Sequence, residues 1–135
     1  MISIDSQIER MKELHPQFEV KFSTSWFVVW EGWLRPFLAK KYKIRITMCR
    51  TKFLDDVEIK AYAPRVEILD PEVDGRAPHL YRNEVHPEIP LLCLYDPVKE
   101  EWYYDEYVAD TTVPWTKRWL ASYEGWRATG EWTGG

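Results

Sequence analysis

The chain has 135 residues and a formal net charge of −4, with no dense Lys/Arg run, which argues against the concentrated basic footprint of a nucleic-acid binder. Apolar residues make up 45% of it, enough for one hydrophobic core and too many for a disordered chain, and no apolar run approaches the length of a bilayer span. Eight tryptophans and eight tyrosines are the unusual feature; each buries a large area but carries a polar handle, so the surplus points to a dense small core or a sizeable contact surface.

The first segment, SIDSQIERMKELHP, places Ile4, Ile8, Met11 and Leu14 at helical spacing. Ser6 with Glu9 fits a capping box and Pro16 a stop, with Ser3 as the other candidate start. Phe22 to Pro36 is rich in β-branched and aromatic residues and reads as a strand, with Gly32 expected to mark a bulge or turn near its end. KYKIRITMC then alternates strictly: Tyr42, Ile44, Ile46 and Met48 on one face, Lys43, Arg45 and Thr47 on the other. That is a half-buried antiparallel strand, and Cys49 continues its polar register as a strand-end thiol. VEIKAYA and PRVEIL give two further short strands.

The stretch from Asp70 to Pro90 holds Pro71, Pro78, Pro87, Pro90 and the histidines 79 and 86, and is expected to be a long ordered loop. It delivers the chain to Cys93. Beyond an acidic aromatic run, EEWYYDEY, a helix is predicted from Trp115, Trp119, Leu120, Tyr123 and Trp126, with Pro114 in its first turn and Gly130 as its C-terminal cap. With no internal repeat and no linker, the expectation is one domain over 1–135, an α+β fold with helices against one sheet face. The N-terminus lacks a basic region followed by an apolar stretch, so no secretory leader is expected. Cys49 and Cys93 then read as free thiols in a reducing cytoplasm, and their separation excludes a zinc site of paired cysteines. Neither metal nor cofactor is expected.

Taken alone, Cys93 between leucines is either a small apolar core residue or a thiol displayed at the Tyr95-Asp96-Pro97 turn. A resemblance bears on the choice. The order helix, strand meander, histidine-bearing loop, cysteine, helix resembles the ubiquitin-conjugating-enzyme fold, with Tyr62-Ala63-Pro64-Arg65-Val66 similar to its Tyr-Pro segment. Leu92-Cys93-Leu94-Tyr95-Asp96-Pro97, Glu101-Trp102, Ala109-Asp110-Thr111, Pro114-Trp115-Thr116, Trp119-Leu120, and Thr129-Gly130-Glu131-Trp132 resemble the bacterial branch found in anti-phage CBASS operons. Two features depart from the family pattern. The His-Pro-Asn element becomes either Pro78-His79-Leu80-Tyr81 or His86-Pro87-Glu88, with Asn83 between them, and the C-terminal helices of eukaryotic members are reduced.

The resemblance implies a thioester carrier. Cys93 would be the catalytic thiol, receiving the C-terminus of a cGAS-like nucleotidyltransferase, or of a ubiquitin-like protein, and passing it to a target amine. A ubiquitin-activating-like enzyme is one source of the activated acyl group, and the resemblance leaves open whether a separate one is required. Strong activation of the thiol is not required, because the incoming thioester is already high in energy and a very stabilised thiolate is a poorer nucleophile. Supporting roles are expected for His79 in structuring the loop, Asn83 as oxyanion donor, His86 as a further donor, and Asp96 in orienting an amine; Asp110 and Glu124 are further acidic candidates. Trp102 and Trp132, outside the helical stripe, are expected to bind the partner. Terminal Gly134-Gly135 is reminiscent of a modifier's tail, but with Cys93 present it reads as a flexible end. The competing expectation is a non-catalytic scaffold of the same fold that binds the nucleotidyltransferase.

Overall fold

The computed structural model describes residues 2–37, 40–49, 64–94 and 106–134. Helix α1 spans Ile4–Leu14, and its N-cap is Ser3, whose hydroxyl oxygen accepts from the Ser6 amide at 3.0 Å. The cap therefore lies three residues before the Ser6–Glu9 pair. Strands β1 (Glu19–Ser23), β2 (Phe27–Leu34), β3 (Tyr42–Cys49) and β4 (Arg65–Asp70) form an antiparallel meander. Two short strands, β5 (Leu80–Tyr81) and β6 (Leu91–Leu92), extend it to the order β1-β2-β3-β4-β6-β5. Helix α2 covers Thr112–Thr129 and ends at Gly130, which takes a left-handed φ of 81° as the cap requires.

The fold is thus α+β, with differences in how the strands are drawn. The stretch expected as one strand from Phe22 is two, joined by a turn in which the Thr24 hydroxyl oxygen accepts from the amides of Trp26 and Phe27. Gly32 marks neither bulge nor turn: it lies inside β2, where a Cβ would come within 2.8 Å of the Gln17 carbonyl and the Phe18 ring. The bulge is in β1, between Val20 and Phe22. The strand expected in VEIKAYA lies outside the described residues.

Register places Val28 opposite Met48, Trp30 opposite Ile46 and Leu34 opposite Tyr42; Ile44 and Ile46 in turn face Ile68 and Val66. These side chains occupy one face and join Ile4 and Met11 of α1 and Val113, Trp119, Leu120 and Tyr123 of α2 in a single core cluster. Burial of this apolar area is the dominant stabilising term. Buried Gln7 fastens α1 to the segment before α2, donating to the Glu106 carbonyl and accepting from the Val108 amide, both at 2.9 Å. On the opposite sheet face runs a charged row in which Lys43 approaches Glu31 at 3.7 Å and Arg45 donates to Glu67 at 2.7 Å.

Candidate functional site

Leu92 is buried and directly opposite Leu80, so the β5–β6 pair is pinned to the core one residue before the cysteine. The Cys93 amide donates to the His79 carbonyl at 2.9 Å, and the Trp119 indole N–H of α2 donates to the same oxygen at 3.1 Å. One carbonyl thereby joins the cysteine segment to the second helix. His79 has a positive φ of 59°, sparsely populated for a residue with a side chain, and this turns its carbonyl towards both donors. Its imidazole packs on the Trp132 ring at 5.3 Å, and Trp132 packs edge-on against Trp119 at 5.2 Å.

Cys93 is half-buried and lines a groove of about 490 Å³ between the β6 end and α2. Its other walls include His79, Leu94, Trp115, Arg118, Trp119, Ser122 and Trp132. Residues 115, 118, 119 and 122 share one helical face, so a single face of α2 supplies that wall. The thiol S–H donates to the Tyr81 hydroxyl oxygen at 3.2 Å. Tyr81 pairs with Leu91 across the antiparallel strands, which makes Cys93 its diagonal neighbour.

The remaining loop candidates do not line the groove. Asn83 is 1% exposed; its two amide hydrogens go to Glu67 Oε2 at 2.7 Å and the Ile89 carbonyl at 2.8 Å. Its Oδ1 accepts from Arg65 and from the amides of Val85 and His86, each at 3.1 Å. Burial pushes the Glu67 carboxyl up, but donation from Arg45 and Asn83 outweighs that and holds it below the usual range. Half-buried His86 lies 4.0 Å from Glu88. Asp110 accepts both Arg10 contacts at 2.9 Å, which lowers its carboxyl below the ordinary range, and Glu124 accepts from the buried Tyr42 hydroxyl at 2.6 Å. Burial, then that contact, pushes the Tyr42 hydroxyl well above its usual range. Asp96 and Trp102 lie outside the described residues. The structure therefore brings Cys93, His79 and Trp132 together at the groove and keeps Asn83, Asp110 and Glu124 in structural contacts elsewhere.

The profile of one protein family, described as Type II CBASS E2 protein, matches residues 7–135 and so spans every candidate named above. The chain belongs to that family. Comparisons with curated proteins and with solved structures each returned no match.

For this Type II CBASS E2 protein, the reading of the chain as conjugating-enzyme-like holds at the level of the family. No described helix is long and apolar enough to cross a membrane. Sequence reasoning reached Cys93 and the His79 segment but assigned Tyr81 no role, although Tyr81 was part of the quoted Pro78-His79-Leu80-Tyr81 element. Nothing in a two-residue strand gives a period to read. The register with Leu91 is what brings its hydroxyl to the sulfur. The same holds for Arg118 and Ser122, which sit beside the predicted aromatic stripe and become groove residues through the packing of α2.

Proposed function

We propose that the protein carries an acyl group as a thioester on Cys93 and transfers it to an amine. The observation that carries this reading is the position of the sulfur: Cys93 lines an open groove between a pinned strand end and α2, while its neighbour Leu92 is buried. In the first step the Cys93 thiolate attacks the carbonyl carbon of an activated donor. An Sγ–C bond forms, the donor's bond to its leaving thiol breaks, and that thiol takes up a proton. In the second step an amine attacks the same carbon, the C–Sγ bond breaks, and the amide is released as the amine loses a proton. Charge develops on the carbonyl oxygen in both steps.

Membership of a CBASS family favours the C-terminal carboxyl of a cGAS-like nucleotidyltransferase as the carried group, activated by a ubiquitin-activating-like enzyme and joined to a target lysine. Groove walls of Trp115, Trp119 and Trp132, with Arg118 as their cation, suit an extended polypeptide tail. In this reading His79 structures the site through its carbonyl, Asn83 and His86 hold the loop in shape, Asp96 orients the amine, and Trp102 with Trp132 meets the partner.

The scaffold alternative draws on one observation: both amide hydrogens of Asn83 are engaged, one by Glu67 of β4 and one by the Ile89 carbonyl. Co-expression with the nucleotidyltransferase, followed by mass spectrometry, separates the two. The carrier reading expects an adduct on Cys93 that added thiol cleaves by exchange at the acyl carbon, absent from Cys93→Ala and replaced in Cys93→Ser by an oxygen ester that resists thiolysis. Conjugation and phage protection surviving in Cys93→Ala, with partner binding intact, would establish the scaffold instead. A ubiquitin-like protein in the adduct would correct the donor and leave the chemistry standing.

A further inference from the structure

We propose that Tyr81 is a catalytic residue, its hydroxyl donating to the carbonyl oxygen of the acyl group on Cys93 as negative charge develops there. The inference rests on the reading of Cys93 as the acyl carrier and adds to it the group that stabilises the transition state.

The hydroxyl oxygen stands 3.2 Å from Sγ, and in the free enzyme it accepts the thiol hydrogen. Once Sγ carries an acyl group that hydrogen is gone. The acyl carbon is bonded directly to Sγ, so its oxygen lies within reach of a hydroxyl already touching the sulfur. A phenol is donor as well as acceptor, and rotation about its C–O bond aims the hydrogen without moving the ring. The β5–β6 pairing, with Tyr81 opposite Leu91 and Leu80 opposite buried Leu92, fixes the backbone that carries the ring, and the contact with Sγ sets where the hydroxyl of this 40% exposed side chain rests.

Arg118 also lines the groove, though no described hydrogen bond joins it to the sulfur, and other polar side chains are engaged by protein partners. The Ser122 hydroxyl donates to the Thr133 carbonyl at 2.6 Å, the Asn83 amide is held by Glu67 and Ile89, and the His79 ring packs on Trp132. Among the described contacts, the Tyr81 hydroxyl is the side-chain group hydrogen-bonded to the reacting sulfur.

In the transfer step the amine nitrogen bonds to the acyl carbon and the carbonyl π pair moves to oxygen, where the Tyr81 O–H donates to it. Collapse restores the carbonyl and expels the Cys93 thiolate; the proton lost by nitrogen goes to solvent, and the sulfur takes one up. No electrons are gained or lost overall. Tyr81 keeps its own proton throughout.

The test uses a small donor, so that no partner protein is needed. In a Cys49→Ala background, Cys93 is the one remaining thiol. The protein is charged with the mercaptoethanesulfonate thioester of N-acetylglycine and discharged onto Nα-acetyl-lysine, both followed by intact mass. Alkylation of Cys93 by iodoacetamide, which develops no oxyanion, is the control. Tyr81→Phe keeps the ring and the strand pairing, and a melting curve checks its fold. Both acyl steps are expected to slow by about a hundredfold, the lower end of what loss of one oxyanion donor costs, while alkylation stays within a few-fold of wild type.

Acyl steps at the wild-type rate in Tyr81→Phe would overturn the proposal. So would a parallel loss in alkylation, since that places the effect on the sulfur itself. If wild-type Cys93 is alkylated yet takes no acyl group, the carrier reading fails and the role of Tyr81 fails with it.

Discussion

Replacing Asn83 by alanine separates its two possible roles, because each predicts a different observable. In the structure Asn83 makes five hydrogen bonds. The contact with the Glu67 carboxylate is the strongest by chemistry, since removing a donor from a buried charge costs about 1.5–3 kcal/mol. Loss of the Ile89 contact adds about 1 kcal/mol, while Arg65 and the Val85 and His86 amides regain water and contribute less. The expected loss is about 3–4 kcal/mol, a large part of a typical total of about 5–15 kcal/mol. For a chain of this size that corresponds to a fall in Tm of about 10–15 °C. Differential scanning calorimetry measures it, and the acyl-transfer assay below the new Tm measures the rest: a residual rate within about tenfold of wild type, since Asn83 acts on the loop and not on the acyl oxygen. A Tm within about 2 °C of wild type, together with a transfer rate down a hundredfold or more, would refute this reasoning and return Asn83 to the oxyanion site.

Two further outcomes follow from the same geometry. Gly32→Ala drives a Cβ to 2.8 Å from a backbone carbonyl and the Phe18 ring, so it is expected to destabilise by about 1–3 kcal/mol; a urea midpoint equal to wild type would show that the strand yields there. Despite burial, which pushes it up, the Arg45 and Asn83 donors hold the Glu67 carboxyl below the ordinary carboxylate range, so it contributes stability above that range, and the contribution is lost as pH falls through the lower folded-state value. Glu67→Gln is accordingly expected to be less stable than wild type at pH 7 but to lose less between pH 5 and pH 3, and equal losses in urea titrations would count against the assignment.

Much of the fold was legible because it rests on local periodicity. The alternation from Tyr42 to Met48 matches the buried face of β3 residue by residue. The α2 stripe and its glycine cap were likewise read from spacing and from the one residue type that takes a left-handed φ without cost. The β1–β2 turn was not, since it is built by the Thr24 hydroxyl and contains neither glycine nor proline. Gly32 was misread because a glycine needed for close approach and a glycine needed for a turn are the same letter; only the packing of Phe18 distinguishes them. At the groove, type and surroundings leave Cys93 between a core residue and a displayed thiol, and it is the resemblance of its segment to a family that singles it out. Its neighbour Tyr81 was not legible, because their contact depends on a strand pairing between segments too short to announce themselves.

The position of His79 ties these levels together. A side chain at positive φ is a local cost, borne only where surrounding contacts over-determine it. Here the same carbonyl accepts from the Cys93 amide and from the Trp119 indole, while the imidazole packs on Trp132. Moving Cys93 relative to α2 would therefore break a bond on one side or the other, so the groove wall and the sulfur keep their mutual distance. In the proposed transfer, a thiol that needs little activation still needs a fixed address, because the acyl carbon would have to meet an incoming amine and an oxyanion donor at once. That requirement falls on backbone geometry at residue 79, one residue before the strand that carries Tyr81, and it is met by a histidine whose ring has no hydrogen bond to the sulfur among the described contacts.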